Sequence, residues 1–322
     1  YHGFFRYDPK TGANQVFGRY GVSRGPRLVH DGLVYISGYP TSNLSVYNPG
    51  QPWTANRRPD GIQTADTAPQ PPPAEINPRL LGNFYAYTAT EYSAFLAPGK
   101  NGRIYFLGRR ERTGVGSGIG YYDFAAKAFG GHHENLNFLE PRGLVVADEL
   151  GRVVLSGALR QDPSSAVPPP AEAQLVLYDM DLKEVERLTV KPGIKHTGRI
   201  FLTSDAGKSN VIVGVIPPEK AVYRYDLAQK KLLDWVEING GIDSIACRET
   251  DGAIWIATTD PATQARHLGC LDPATLKWTT FGKLPAAINH LAWSGDDLYV
   301  TMTAESGGET KSGLWRLTPP DK

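Results

Sequence analysis

Residues 244–281 decide the fold. They open with an apolar run, Ser244-Ile245-Ala246-Cys247, turn at Asp251-Gly252, and continue as Gly252-Ala253-Ile254-Trp255-Ile256. A third run reads Gly269-Cys270-Leu271-Asp272-Pro273, and after a polar turn comes Lys277-Trp278-Thr279-Thr280-Phe281. The apolar runs are short and separated by turn residues, and Asp-Gly between two of them is a tight hairpin signal. The stretch therefore reads as four antiparallel strands, here called A to D from the inside of the unit outward.

The same unit recurs along the chain. An apolar strand ends on a Tyr-Asp-like pair at Tyr7-Asp8, Tyr47-Asn48, Tyr122-Asp123, Tyr178-Asp179, Tyr225-Asp226, Leu271-Asp272 and Leu317-Thr318. The second members are separated by 40, 75, 56, 47, 46 and 46 residues, and the two long gaps hold visible insertions. Before each pair except the first lies a second strand opened by a turn, such as Gly32-Leu33-Val34-Tyr35-Ile36 or Gly102-Arg103-Ile104-Tyr105-Phe106. A four-stranded unit repeating at roughly 46 residues is the blade of a β-propeller. A two-sheet sandwich has no such self-similarity.

The sequence thus predicts an all-β protein, a β-propeller of four-stranded antiparallel blades, as one domain over residues 1–322. Residues 1–19 form a partial blade, and 51–78 and 161–170 are inserted Pro-rich loops. Six units carry strands A, B and C. Phe4 to Phe17 keeps a C-D hairpin of its own, which favours seven blades with an incomplete first one; six blades are the alternative.

Composition narrows the function classes. The 322 residues carry 34 Lys and Arg against 33 Asp and Glu, so no overall positive field would attract nucleic acid. With 41% hydrophobic residues the chain can bury a large core, and its 35 Gly and 25 Pro suit many short strands. No apolar run reaches the roughly 18 residues of a membrane span, so neither a nucleic-acid nor a membrane partner is expected. Cys247 and Cys270 fall on strands A and C of one blade. Two strand spacings, ~9.5 Å, exceed the ~7 Å limit for a disulfide, so both are expected as free thiols. There is no initiator Met and no leader-like start, so a processed product or a module of a longer polypeptide is expected. An exported or periplasmic location is favoured.

The repeat Gly-x-apolar-Tyr-apolar followed by apolar-Tyr-Asp-Pro-x-Thr-Gly resembles the bacterial propellers grouped around streptogramin B lyase and the NHL-like and YncE-like repeats. The resemblance covers nearly the whole chain. Arg109-Arg110-Glu111-Arg112 with Gly114 to Asp123 is similar to a stretch of bacterial proteins of this type. The likeness implies a fold; propellers carry many functions, and no catalytic set transfers residue by residue.

Candidate site residues come from the strand-A entrances, which face the central channel of a propeller. Aligned on their apolar cores, these entrances carry Arg27, Tyr92, Arg142, Lys195 with His196, Asp243 and His290. Arg27, Arg142, Lys195 and Asp243 are the predicted ligand-binding groups, since the cations suit a carboxylate or phosphate. Tyr92, His196 and His290 are the predicted proton-transfer groups. Such a set suits β-elimination of a uronate, in which a cation neutralises the acid, a base removes the C5 proton and an acid protonates the leaving oxygen. The expected function is a lyase or hydrolase on an acidic sugar, with a small molecule or glycan as ligand. A non-catalytic protein- or glycan-binding platform is the alternative, and a polar lining of a water-filled channel is the plainer explanation of the same residues. Arg109, Arg110, Arg112 and Arg160 lie in B-C hairpins near the same mouth and read first as surface charge. No cofactor is assigned. No metal site is assigned either, although His196, Asp243 and His290 on successive blades are the set that an ion would use. His132-His133-Glu134 reads as an outer strand edge or turn.

Overall fold

The computed structural model describes residues 4–17, 25–39, 41–54, 76–110, 116–133, 136–160, 168–205, 208–248, 250–294, 296–306 and 309–317. Most of the loop spanning 51–78, most of that spanning 161–170, and Glu111, Arg112 and Glu134 lie outside the described residues. Backbone contacts divide the chain into two compact units. The first holds Tyr1–Val146, Val153–Ala171 and Leu177–Val185; the second holds Ala147–Arg152, Glu172–Val176 and Glu186–Lys322.

In the first unit a hairpin of β1 (Phe4–Tyr7) and β2 (Asn14–Phe17) precedes two four-stranded antiparallel sheets. One sheet is β3 (Arg27–His30), β4 (Leu33–Gly38), β5 (Asn43–Tyr47) and β6 (Arg79–Asn83). The other is β7 (Tyr92–Gly99), β8 (Arg103–Arg109), β9 (Ser117–Asp123) and β10 (Ala128–His132). A third sheet, β11 (Leu139–Ala147), β12 (Arg152–Leu159), β13 (Gln174–Tyr178) and β14 (Glu184–Thr189), has strands in both units. The second unit continues with β15 (Arg199–Asp205), β16 (Lys208–Ile216), β17 (Ala221–Asp226) and β18 (Lys231–Glu237). The next sheet is β19 (Gly241–Cys247), β20 (Ile254–Thr259), β21 (Arg266–Leu271) and β22 (Trp278–Leu284). A three-stranded sheet of β23 (Ala287–Ser294), β24 (Asp297–Ser306) and β25 (Glu309–Leu317) comes last. The fold is an all-β propeller of antiparallel blades, in which consecutive strands pair in chain order. Among the described residues, helix is confined to α1 (Tyr85–Thr88) and a 3-10 turn at Asp148–Leu150.

Among the described residues the blades number six, the alternative to the favoured seven. The β1–β2 hairpin has no inner strands of its own among the described residues. It caps the first full blade instead: Phe17 is buried, stacks on Trp53 at 4.6 Å between ring centroids and packs with Ile36 and Tyr47. That apolar cluster explains why the hairpin keeps its repeat sequence without a complete sheet.

The turns follow from local chemistry. Asp31 and Gly32 both have positive φ (50° and 72°), the conformation of a two-residue hairpin loop between β3 and β4. In the Asp-Pro-x-Thr turns the Asp carboxylate accepts a backbone N–H two residues on. Lys10 donates to Asp8 at 2.9 Å, Ala262 to Asp260 at 2.8 Å and Ala274 to Asp272 at 2.8 Å.

Strand B shows how a blade is buried on both faces. Ile254 and Ile256 of β20 pack with Val213, Val215 and Val222 of the preceding sheet. Ala253, Trp255 and Ala257, turned to the other face by the two-residue period, pack with Leu298, Val300 and Met302 of the following sheet. A strand covered on both sides reads as continuously apolar, as Ala253-Ile254-Trp255-Ile256-Ala257 does. The first strands β19 and β23 of the last two sheets lie close together, and β7 lies against both β3 and β4. The two cysteines are not joined in a disulfide: Cys247 packs against one face of its sheet, while Cys270 is buried on the other.

Candidate ligand site

In the first unit, four charged side chains converge where strands A begin and strands B end. Glu140, on β11, has a side chain only 16% exposed and forms ion pairs with three guanidinium groups. Arg142 Nη2 lies 3.3 Å away, Arg160 Nη1 3.6 Å and Arg109 Nη1 3.8 Å. Glu140 and Arg142 are two residues apart on one strand, so the pleat turns both to one face. Arg109 is the last residue of β8, and Arg160 directly follows β12. Arg109 pairs in register with Tyr92, the first residue of β7, and its guanidinium lies 5.3 Å from the Tyr92 ring centroid. Tyr39, one residue beyond β4, stacks on Tyr92 at 4.6 Å. Three guanidinium groups thus share the Glu140 carboxylate beside a tyrosine pair. The three arginines remain 37%, 45% and 60% exposed (Arg109, Arg142, Arg160), so solvent and solutes reach them.

Tyr92 and Arg142 thus belong to one cluster, and Arg109 and Arg160, read from the sequence as surface charge, complete it. Arg27 is placed differently. Its guanidinium donates back to the Gly25 and Pro26 carbonyls and lies 4.9 Å from the Phe4 ring centroid. Arg27 itself is exposed at the start of β3.

The remaining candidates lie in the second unit. His196 is three residues ahead of β15, and its Nδ1 meets Glu219 Oε1 at 3.0 Å. Lys195 is exposed and its charge favours the Glu172 carboxylate, held low first by the Thr189 hydroxyl and then by the Gly193 N–H. Asp243 is the extra residue of a bulge between Ile242 and Ser244, and its carboxylate accepts the Thr259 hydroxyl at 2.6 Å. In the next blade the bulge falls between Ile288 and His290, so the counterpart of Asp243 is Asn289. His290 sits one place further on, exposed and opposite Thr301. Among the described residues no three His, Cys, Asp or Glu side chains converge as a metal set, so His196, Asp243 and His290 do not assemble one.

Two partners escaped the sequence reading. Glu219 lies in the Pro217-Pro218-Glu219-Lys220 hairpin between strands B and C. That is the kind of hairpin assigned to the mouth, so aligning hairpins as well as strand starts would have found it. Tyr39 carries no comparable signal. His132, on the outer strand β10, contacts the Leu182 carbonyl at 2.8 Å through Nε2 and packs beside Tyr178, in keeping with its structural reading.

No protein-family profile matches the chain, and no curated protein matches it in sequence. Solved structures do. A chain of the mitotic checkpoint complex superposes with a TM-score of 0.56 at 12% identity, over 98% of this chain and 81% of that one. A chain of a nidogen/laminin complex gives 0.49 at 11% identity, over 83% and 85%. A luciferin-regenerating enzyme gives 0.40 at 13% identity, over 93% and 76%. At such identities the first likeness speaks for the propeller fold alone.

Proposed function

We propose that this chain is a ligand-binding propeller of the streptogramin B lyase, NHL-like and YncE-like kind. It takes an anionic small molecule, an acidic sugar first, at the Arg109, Arg142 and Arg160 cluster. The observation that carries the reading is the sharing of one carboxylate, Glu140, by three accessible guanidinium groups. Guanidinium forks match carboxylates and phosphates in geometry and keep their charge at every working pH. Glu140 holds the forks together, so an incoming anion meets preorganised guanidinium groups. The Tyr39–Tyr92 pair supplies the flat apolar surface that a sugar ring packs on.

The catalytic form of this proposal is β-elimination of a uronate. The arginines neutralise the carboxylate and so acidify the adjacent C–H, and Tyr92 is the proton-transfer group beside them. Arg27, Lys195, Asp243, His196 and His290 belong to the wider proposed set of ligand-binding and proton-transfer groups. The non-catalytic platform differs only in lacking the elimination step.

Calorimetric titration with oligogalacturonate, and with a neutral oligosaccharide of equal length, tests the reading. Saturable binding of the acidic oligomer alone is expected, weakened about tenfold, or 1.4 kcal/mol, by Arg142→Ala. Equal binding of both oligomers, or none, overturns it. Absorbance of an unsaturated product, lost in Tyr92→Phe, separates lyase from platform.

A further inference from the structure

We infer that Glu219 and His196 form a proton-accepting dyad, in which Glu219 is the positioning residue and His196 Nε2 takes a proton from a bound hydroxyl, of water or of a polyol ligand. The inference is independent of the arginine cluster and rests on the second unit alone.

A carboxylate only accepts hydrogen bonds. With Nδ1 at 3.0 Å from Glu219 Oε1, the ring hydrogen of neutral His196 sits on Nδ1 and the lone pair on Nε2. The imidazole keeps 27% of its exposure, and among the described residues Nε2 makes no hydrogen bond. The base nitrogen is therefore open while the other is held. Glu219 Oε2 is buried and has no hydrogen-bond partner among the described residues. An under-satisfied carboxylate gains most when its neighbour becomes an imidazolium. When a ligand O–H gives its proton to Nε2, the oxygen keeps the electron pair. The positive charge then appears on the ring next to Glu219.

Both partners are fixed from behind. Glu219 sits in a turn built on two prolines, where Lys220 N–H donates to Pro217 O at 3.1 Å and Ile238 N–H donates to Lys220 O at 2.6 Å. His196 lies between two anchored carbonyls: Ala173 N–H donates to Ile194 O at 2.8 Å, and the buried Tyr223 hydroxyl donates to Thr197 O at 2.7 Å. Supporting groups that lock the base and its orienting carboxylate distinguish a working site from a surface ion pair.

The test uses the full chain with 15N-labelled histidine, at alkaline pH where imidazoles are neutral. The His196 signals, assigned by their loss in His196→Gln, are expected to show a hydrogen-bearing Nδ1 and a bare Nε2. In Glu219→Ala the hydrogen is expected to redistribute to Nε2, and Glu219→Asp is expected to restore part of the wild-type pattern. Diethylpyrocarbonate should modify His196 readily, with a new bond from Nε2 to the carbonyl carbon and loss of ethyl carbonate as ethanol and carbon dioxide. Glu219→Ala should slow that modification severalfold. A hydrogen on Nε2 in the wild-type protein, which needs no variant to observe, overturns the inference. So do a ring pattern indifferent to Glu219 and a His196 shielded from the reagent.

Discussion

Asp243 and Asn289 occupy the same bulge in consecutive blades, and each is bonded to a threonine of the neighbouring strand. Asp243 accepts from the Thr259 hydroxyl at 2.6 Å, and the Asn289 amide donates to the Thr303 hydroxyl at 2.6 Å. A hydroxyl serves as donor or acceptor, so the position requires a short polar side chain more than a charge. Asp243→Asn is therefore expected to leave stability within about 0.5 kcal/mol of wild type, while Asp243→Ala costs about 1 kcal/mol. Urea denaturation of the two variants checks this, and equal losses would mean that the charge itself matters.

Acid stability follows from the turn carboxylates. Backbone N–H groups of Thr263 and Ala262 hold Asp260 below its ordinary 3.8, and the Lys10 N–H does the same for Asp8. The Ala126 N–H and then Arg103 lower Asp123. Glu172 is lowered by Thr189 and Gly193. A depressed folded pKa contributes stability that is fully present above the unfolded value and is lost as pH falls through the folded one. The melting temperature is expected to be level between about pH 7 and 5 and to fall below about pH 4. Asp260→Asn should shallow that fall. A decline already beginning near pH 6 would point to histidines instead.

Gly214 and Tyr223 face each other across β16 and β17. A Cβ at position 214 would lie 2.1 Å from the Tyr223 ring, which is fully buried and whose hydroxyl donates to Thr197 O. The ring cannot move aside without abandoning that bond. Gly214→Ala is expected to lower the unfolding free energy by about 1–3 kcal/mol, and Tyr223→Phe by about 1 kcal/mol, in denaturant titrations. Because Thr197 follows His196, both variants should also disturb the His196 ring signals.

The blades were legible in the sequence because their cause is periodic. Asp-Gly turns, two-residue alternation and the recurring Tyr-Asp pair each leave a mark at a fixed spacing, and that Cys247 and Cys270 are not joined followed from strand counting. The blade number turned on the Phe4–Phe17 hairpin, whose sequence is that of a blade but whose Phe17 packs on Trp53, in the loop after β5. The site was only half legible. A bulge adds one residue without altering the apolar pattern, so the alignment that selected Asp243 selected His290 where the equivalent position is Asn289. Arg109 and Arg160 read as surface charge because the convergence of two hairpin arginines on Glu140 depends on side-chain direction and on contacts far apart in sequence.

Glu140 gives the sharpest test of how the arginine cluster works. If the carboxylate serves as an internal counterion, Glu140→Gln removes one negative charge and keeps the shape. The folded state should lose little, since partly exposed ion pairs contribute about 0–1 kcal/mol each. Oligogalacturonate should bind severalfold more tightly at low ionic strength. That gain should shrink in about 1 M salt, where the screening length falls to roughly 3 Å. Weaker binding at every salt concentration would assign Glu140 the opposite role, that of holding Arg109, Arg142 and Arg160 in the geometry the ligand needs. Titrations of Glu140→Gln at two salt concentrations, beside the wild-type protein, distinguish the two.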